Sequence, residues 1–371
     1  MKTKILFIAS EFAPGMIPFA SKIITTLNCD KHFDVYAIAV TSGKKTYNEI
    51  LKNFDNTHLM QIEYPQSKIL KLIYKLYPFS IIRGINKVVK KQQPDVIHLL
   101  TGDFTLAPYI LTHRVNNKWY YTVHDLHPHE VKSTSLFYTL LHKYIVWSYK
   151  TLRDKIDNLT TSSQSQAKEL KDIYPNKHIA FTHFPSLITQ QIQEGNKKVI
   201  ELLNENNYIL FFGTVDEYKG VDLLIHAYIN SKSLNGIKLV IAGKGLTFGN
   251  VVNRNKNIIR INRFIDDSEV KDLFSKALFV VYPYRSATMS GVLSIAYYFK
   301  KRVLLSKIPF FLENATSISS FFEASNELDL QKQMELMTNQ NVIDESYKAC
   351  YESIYSDKVL ISDYIKLYLS K

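Results

Sequence analysis

Cysteine is scarce: the 371 residues hold two, Cys29 and Cys350, far apart and with no C-x-x-C. Such a pair offers neither a disulfide framework nor a thiolate zinc site, and a reducing compartment is expected. No stretch reaches the roughly 18 apolar residues of a spanning helix. The apolar run at 5–9 is too short for the core of a secretory signal and is followed by Glu11, so a cytoplasmic location is expected. Low-complexity segments are lacking, and no nucleic-acid-binding motif accompanies the charge. That charge is a net +12, from 46 basic and 34 acidic residues, which suits an anionic substrate or a membrane surface. With 46% apolar residues, the length predicts two domains of about equal size.

Short unalternated apolar runs at 5–9, 35–40, 96–100 and 120–123 predict strands, several of them separated by helix-like stretches such as 19–27. Strands buried on both faces between helices describe a parallel α/β sheet. Between 175 and 207 the pattern loosens. Strand signals resume at 208–212, 238–242, 258–261 and 279–282, with helices at 221–231 and 267–275, the latter capped by Asp266 or Asp267. The expected division is a first Rossmann-like domain over 1–187, a linker over 188–207, a second Rossmann-like domain over 208–350, and a final helix over 351–371 that packs back on the first.

Three loops follow strands of the second half. In Phe211-Phe-Gly-Thr-Val-Asp-Glu-Tyr-Lys-Gly220 a strand ends at Gly213, and Lys219 and Gly220 precede a helix whose free N–H groups suit an anion; an ordinary turn with a solvated lysine is the alternative. In Leu239-Val-Ile-Ala-Gly-Lys-Gly245 the glycines 243 and 245 let a ligand approach the backbone, or only make a turn. In Pro283-Tyr-Arg-Ser-Ala-Thr-Met-Ser-Gly291 the hydroxyls and Arg285 suit phosphate oxygens, with Ser290 as a plain N-cap the alternative. Three such loops at the carboxyl edge of one sheet favour a shared ligand.

In the first half His124 and Asp125 follow a strand, with His127 and His129 nearby. The H-D-x-H-x-H spacing lacks the helical i, i+4 pair of a zinc site, so no metal is expected; substrate contact by His124 or an idle surface loop remains. Residues 66–91 carry Lys68, Lys71, Lys75, Arg83, Lys87, Lys90 and Lys91 among Ile, Leu, Tyr and Phe, with no acidic residue. That composition suits a helix lying on anionic lipid, although core packing can claim the same apolar side. Nucleic acid is not an expected partner.

Taken in order, Phe211-Phe-Gly-Thr-Val-x-x-Tyr-Lys-Gly-Val-Asp-x-Leu-Ile-x-Ala227, Leu239-Val-Ile-Ala-Gly-Lys-Gly245, Ile265-Asp-Asp-x-Glu-Val-x-x-Leu-Phe274 and the 283–291 loop resemble glycosyltransferase family 4 over nearly the whole chain. The resemblance implies the GT-B architecture, α/β with two facing Rossmann-like domains and parallel sheets, and a retaining transferase that needs no metal. It implies a nucleotide-sugar donor of UDP or GDP type on the C-terminal domain and the acceptor mainly on the N-terminal one. Carried over, Lys219 meets the donor diphosphate beside Gly213 and Thr214, Gly243 and Gly245 pass near the nucleotide, and backbone around Phe264 meets the base. Ser290, Gly291 and Val292 hold the phosphates, His124 lies near the donor sugar, and Gly15 belongs to the glycine loop after the first strand.

Two departures stand out. The family's arginine beside the first glycine is Thr214 here, and the two glutamates of its E-x7-E motif are Ala287 and Ile295. Arg285 is expected to offset part of the lost charge, and a branch of bacterial surface-polysaccharide transferases carries a similar Arg-Ser-Ala-Thr-x-Ser-Gly loop. The expected activity is sugar transfer to a lipid-linked or growing polysaccharide, as in capsule or O-antigen synthesis, at the inner face of the membrane, with residues 66–91 in peripheral contact. A GT-B nucleotide-sugar epimerase and a catalytically inactive binding subunit are the alternatives.

Overall fold

The computed structural model describes residues 2–10, 16–41, 54–55, 57–65, 67–113, 116, 118–127, 136–252, 254–339 and 346–369. The chain forms two compact units, residues 1–185 with 357–371, and residues 186–356.

In the first unit β1 (Thr3–Ser10), β2 (Phe33–Thr41), β3 (Leu59–Glu63), β4 (Val96–Leu99), β5 (Trp119–Thr122), β6 (Asn158–Thr161) and β7 (His178–Phe181) make a parallel sheet of order β3-β2-β1-β4-β5-β6-β7. Ile5 pairs with Val35 on one side and Val96 on the other. Helices cover the sheet's faces, which is why β1 is apolar without alternation. β6 reads Asn-Leu-Thr-Thr yet is buried, because its polar groups are satisfied. Asn158 donates to the Trp119 carbonyl at 3.0 Å, Thr160 bonds Thr122 at 3.0 Å, and Gln166 donates to Thr161. The strand signal in the sequence missed it for that reason.

The second unit repeats the plan with β8 (Tyr208–Phe212), β9 (Leu239–Ala242), β10 (Ile258–Ile261), β11 (Ala277–Tyr282), β12 (Arg302–Ser306) and β13 (Ser320–Phe322), all parallel in the order β10-β9-β8-β11-β12-β13. Each sheet reverses its winding once, between β1 and β4 and between β8 and β11. Ligands of doubly wound sheets bind in the crevice beyond the carboxyl ends at such a reversal.

Two expected boundaries move. Residues 188–207 are no linker, for Ile188, Ile192, Val199 and Leu202 are buried in the second core. Thr189 donates to Asp267 at 2.9 Å, and Asp272 accepts from the Val199 N–H and pairs with Lys198. The polar residues that imitate a linker are anchored on the helix Asp267–Ser275. The single helix expected over 351–371 is two. Ser346–Tyr355 buries Tyr347 and Tyr355 against the helix Val292–Tyr298 of the second unit, while Asp357–Leu369 packs on Ile17–Asn28 of the first. There Asp363 accepts from the His183 N–H and ring, and Tyr368 bonds the buried His98 at 2.5 Å.

Candidate functional site

At the carboxyl edge of the second sheet, the loops after β8, β9 and β11 meet. The Gly213 N–H donates to Ala242 O at 3.0 Å, Val215 to Lys244 O at 2.9 Å, and Gly243 to Ile261 O at 3.0 Å, so hydrogen bonding runs past the strand ends. Gly243, at φ +142°, is required: a Cβ there would lie 1.9 Å from Gly213 O. Gly245 likewise admits Val215 O, and its N–H donates to Asn262 Oδ1 at 3.0 Å. What these two glycines admit is the neighbouring loop.

Lys219 closes the short turn Glu217–Lys219 before the helix Val221–Asn230. It is 8% exposed, and a Cβ on Gly213 would be 3.4 Å from its Nζ. Nζ lies 5.1 Å from the centre of the Tyr284 ring and 5.7 Å from that of Tyr218. Burial pushes its ammonium below the ordinary lysine value, with Tyr218 and Asp216 pulling the other way. No carboxylate among the described residues forms an ion pair with it. A buried cation that is ion-paired with no carboxylate among the described residues, set between two tyrosine rings with the Asp216 charge nearby, suits an anion at the sheet's reversal.

Arg285 is not free to supply a second charge. Its guanidinium grips Asp222 with both arms, at 2.8 and 2.6 Å, and donates to Glu217 O at 2.8 Å, while its N–H donates to Tyr218 O. Arg285 holds Asp222 below the usual carboxylate range. The expected offset for Thr214, which is exposed, is therefore absent: this charge is spent on tying the 217–222 turn to the 283–285 loop. Gly291, not Ser290, caps the seven-residue helix Val292–Tyr298, with no side-chain cap. Ser290 is half-buried beside it. Ile295 is sealed in the second core and Ala287 packs against it.

Arg260, on β10, escaped the sequence reading, although a lone arginine inside Ile-Ile-Arg-Ile was a signal. It donates to Gly243 O at 2.5 Å, Ile261 O at 2.8 Å, Leu246 O at 3.0 and 3.1 Å, and Asn262 Oδ1 at 3.1 Å, with no carboxylate partner among the described residues. Burial brings it down to about 10. It thus fixes both the 243–246 loop and the Asn262 side chain that receives Gly245. Next along, Arg263 is clamped by Glu201 and Glu269, Glu269 completing a capping box with Asp266. Phe264 stands 79% exposed at that corner.

In the first unit His124 follows β5. Its Nε2–H donates to Leu100 O at 2.6 Å, which leaves Nδ1 as a buried acceptor with no partner among the described residues. Phe19 meets the ring edge-on at 4.9 Å, and burial brings the imidazole down to about 4, so it is neutral. His127 instead pairs with Glu169 on the surface. Gly15 and His129 lie outside the described residues. Among the described residues no group of three or more His, Cys, Asp or Glu is placed to hold a metal ion.

The segment 66–91 forms the helices Lys68–Leu76 and Phe79–Gln92. In the first, core packing does not claim the apolar side: Ile69, Leu72, Ile73 and Leu76, at i, i+3, i+4 and i+7, are exposed, Ile69 to 73%, while Tyr74 is buried. Arg83, Lys87 and Lys90 line an open cleft of about 550 Å³ with Phe79 on the second helix. No described helix is long and apolar enough to cross a membrane.

The sequence profile of the family described as glycosyl transferases group 1 matches residues 193–356. Among curated proteins none matches the chain in sequence. Among solved structures it is similar to Anabaena HepE in complex with UDP and glucose, at a TM-score of 0.70 and 13% identity, covering 100% of both chains. It is also similar to sucrose-phosphate synthase from Thermosynechococcus elongatus, at 0.70 and 12% over 100% of both. A UDP-N-acetylglucosamine 2-epimerase matches at 0.59 and 11%, over 100% of this chain and 98% of that one. These likenesses show the fold, the two-Rossmann-domain GT-B architecture.

Proposed function

We propose that the protein transfers a sugar from a nucleotide-sugar donor, of UDP or GDP type, to a lipid-linked or growing glycan acceptor at the inner membrane face, retaining the anomeric configuration. The observation that carries this is Lys219, a buried ammonium with no ion-paired carboxylate among the described residues, at the reversal of the second sheet. UDP is bound on the same fold by HepE, and the matched profile spans this edge.

In this reading the anomeric carbon leaves its phosphate oxygen and bonds the acceptor oxygen on the same face, and the acceptor's proton passes to the departing diphosphate oxygen. Negative charge grows on the departing diphosphate, and Lys219 stabilises it with backbone N–H groups at Gly213, Thr214 and the Ser290–Gly291–Val292 helix start. Gly243 and Gly245 shape the wall beside the nucleotide, and Phe264 stands at the base end. Arg285 acts as a positioning residue, holding the two phosphate-side loops together. His124 accepts a sugar hydroxyl at Nδ1, the atom its Leu100 hydrogen bond leaves open. No metal is called for where Lys219 and N–H groups meet the phosphates. The exposed apolar row of Lys68–Leu76 and the neighbouring cations support peripheral contact with anionic lipid.

The test is nucleoside diphosphate release from donor sugars with and without a lipid-linked acceptor fraction. Release that needs acceptor and yields a retained linkage supports transfer. Conversion of the donor alone would instead indicate epimerisation, the reading the 2-epimerase likeness favours. Nucleotide-sugar binding without either reaction would indicate a binding subunit, in keeping with Ala287 and Ile295.

A further inference from the structure

A second exposed apolar row lies outside the segment 66–91. On the helix Leu136–Lys155, Leu140, Val146 and Trp147 are exposed, Trp147 to 45%, and they share one side with Lys143. The inner side of this helix is fixed by the turn that follows β4: the Tyr149 hydroxyl donates to Gly102 O at 3.1 Å, and a Cβ on Gly102 would touch the Tyr149 ring at 3.0 Å. The helix packs on Phe104–Leu106, and so does Lys68–Leu76, whose Tyr74 points inward. Two helices therefore dock on one turn at the carboxyl edge of the first sheet, each leaving apolar side chains outside.

Charge says what covers them. No acidic residue occurs over 64–94 or 136–153, while Lys71, Arg83, Lys87, Lys90 and Lys143 do. No carboxylate among the described residues pairs with Arg83, Lys87, Lys90 or Lys143. An apolar protein partner would leave those cations unmatched; an anionic bilayer meets both features, phosphates against lysine and acyl chains against Ile, Leu and Trp. Indoles favour that interface because one end is apolar and the N–H stays wet. We infer that the bilayer contact is a two-helix surface in which Leu136–Lys155 inserts beside Lys68–Leu76, with Trp147 as its interfacial anchor. This rests on the membrane reading above and extends it to a second element.

The chain reports on itself, since of its two tryptophans Trp119 is buried in the core. Vesicles of phosphatidylcholine with or without phosphatidylglycerol, carrying brominated acyl chains, are mixed with wild type and Trp147→Phe. Both variants should fold, because Trp147 is at the surface. The expected result is a blue shift and quenching in wild type on the anionic vesicles only, both lost in Trp147→Phe, with Trp147→Ser partitioning about tenfold more weakly. Flotation of wild type with no difference between its emission change and that of Trp147→Phe would overturn the inference and leave 66–91 as the contact. Absence of flotation would overturn both. Concentration-dependent dimerisation that buries Trp147 without lipid would overturn it in favour of a second copy.

Discussion

Replacing Lys219 by methionine keeps an unbranched chain of similar length between Tyr218 and Tyr284 and removes only the ammonium. Two consequences of opposite sign follow from the geometry. Without ligand, the ammonium is desolvated, ion-paired with no carboxylate among the described residues and only partly compensated by Tyr218 and Asp216, so its folded-state value lies below the ordinary one. A lysine so shifted makes the folded state less stable at neutral pH, and the penalty fades as pH rises through the folded value toward about 10.4. The variant should therefore melt at the same temperature as wild type or higher. With ligand, a charge-assisted bond to a diphosphate in a buried site contributes about 1.5–3 kcal/mol, so affinity for UDP or GDP should fall by about 10- to 150-fold. Thermal melts and nucleotide titrations on the same samples read both effects. A lower melting temperature with unchanged nucleotide affinity would refute the argument, since Lys219 would then be a structural residue.

Gly243→Ala should lose about 3 kcal/mol or more in urea unfolding, because its Cβ would overlap the Gly213 carbonyl, backbone against backbone, at a φ that side chains avoid. Arg260→Gln should weaken nucleotide binding about tenfold with a smaller change in stability, and Arg260→Lys should not restore it, as an ammonium cannot span Gly243, Leu246 and Asn262 together; titration of both variants decides this. Acid should destabilise the first unit. Burial brings His98 down to about 3 and His124 to about 4, so their contributions are complete above pH 6.5 and are lost as pH falls toward those values. Asp103, raised to about 6 by burial, works in the opposite sense. The net loss between pH 7 and 4.5 should be on the order of 3 kcal/mol by urea unfolding, and no imidazole step should appear in activity between pH 6 and 8.

Strands buried on both faces were legible because their apolar runs need no partner information: β1, β8 and β11 can be read directly. β6 was not, since its threonines and asparagine are buried only by virtue of partners on β5 and on the helix Gln164–Ile173. The same limit governs the candidate site. Lys219 and the glycines stand in a local motif, but what Arg285 does depends on Asp222, 63 residues away, and the sequence reading left that charge free for phosphate. Arg260 acts through backbone carbonyls that no spacing rule marks. In 66–91 the composition suggested a helix, whereas which side met the core was settled only by the turn after β4.

The most direct measurement is ligand-observed NMR of the folded protein against UDP, GDP, ADP, CMP and dTDP sugars, each hit competed with its nucleoside diphosphate and with the bare nucleoside. The account predicts selective binding that the diphosphate displaces, the nucleoside displaces poorly, and Lys219→Met weakens by about 10- to 150-fold. Failure of every nucleotide sugar to bind a folded sample would contradict it.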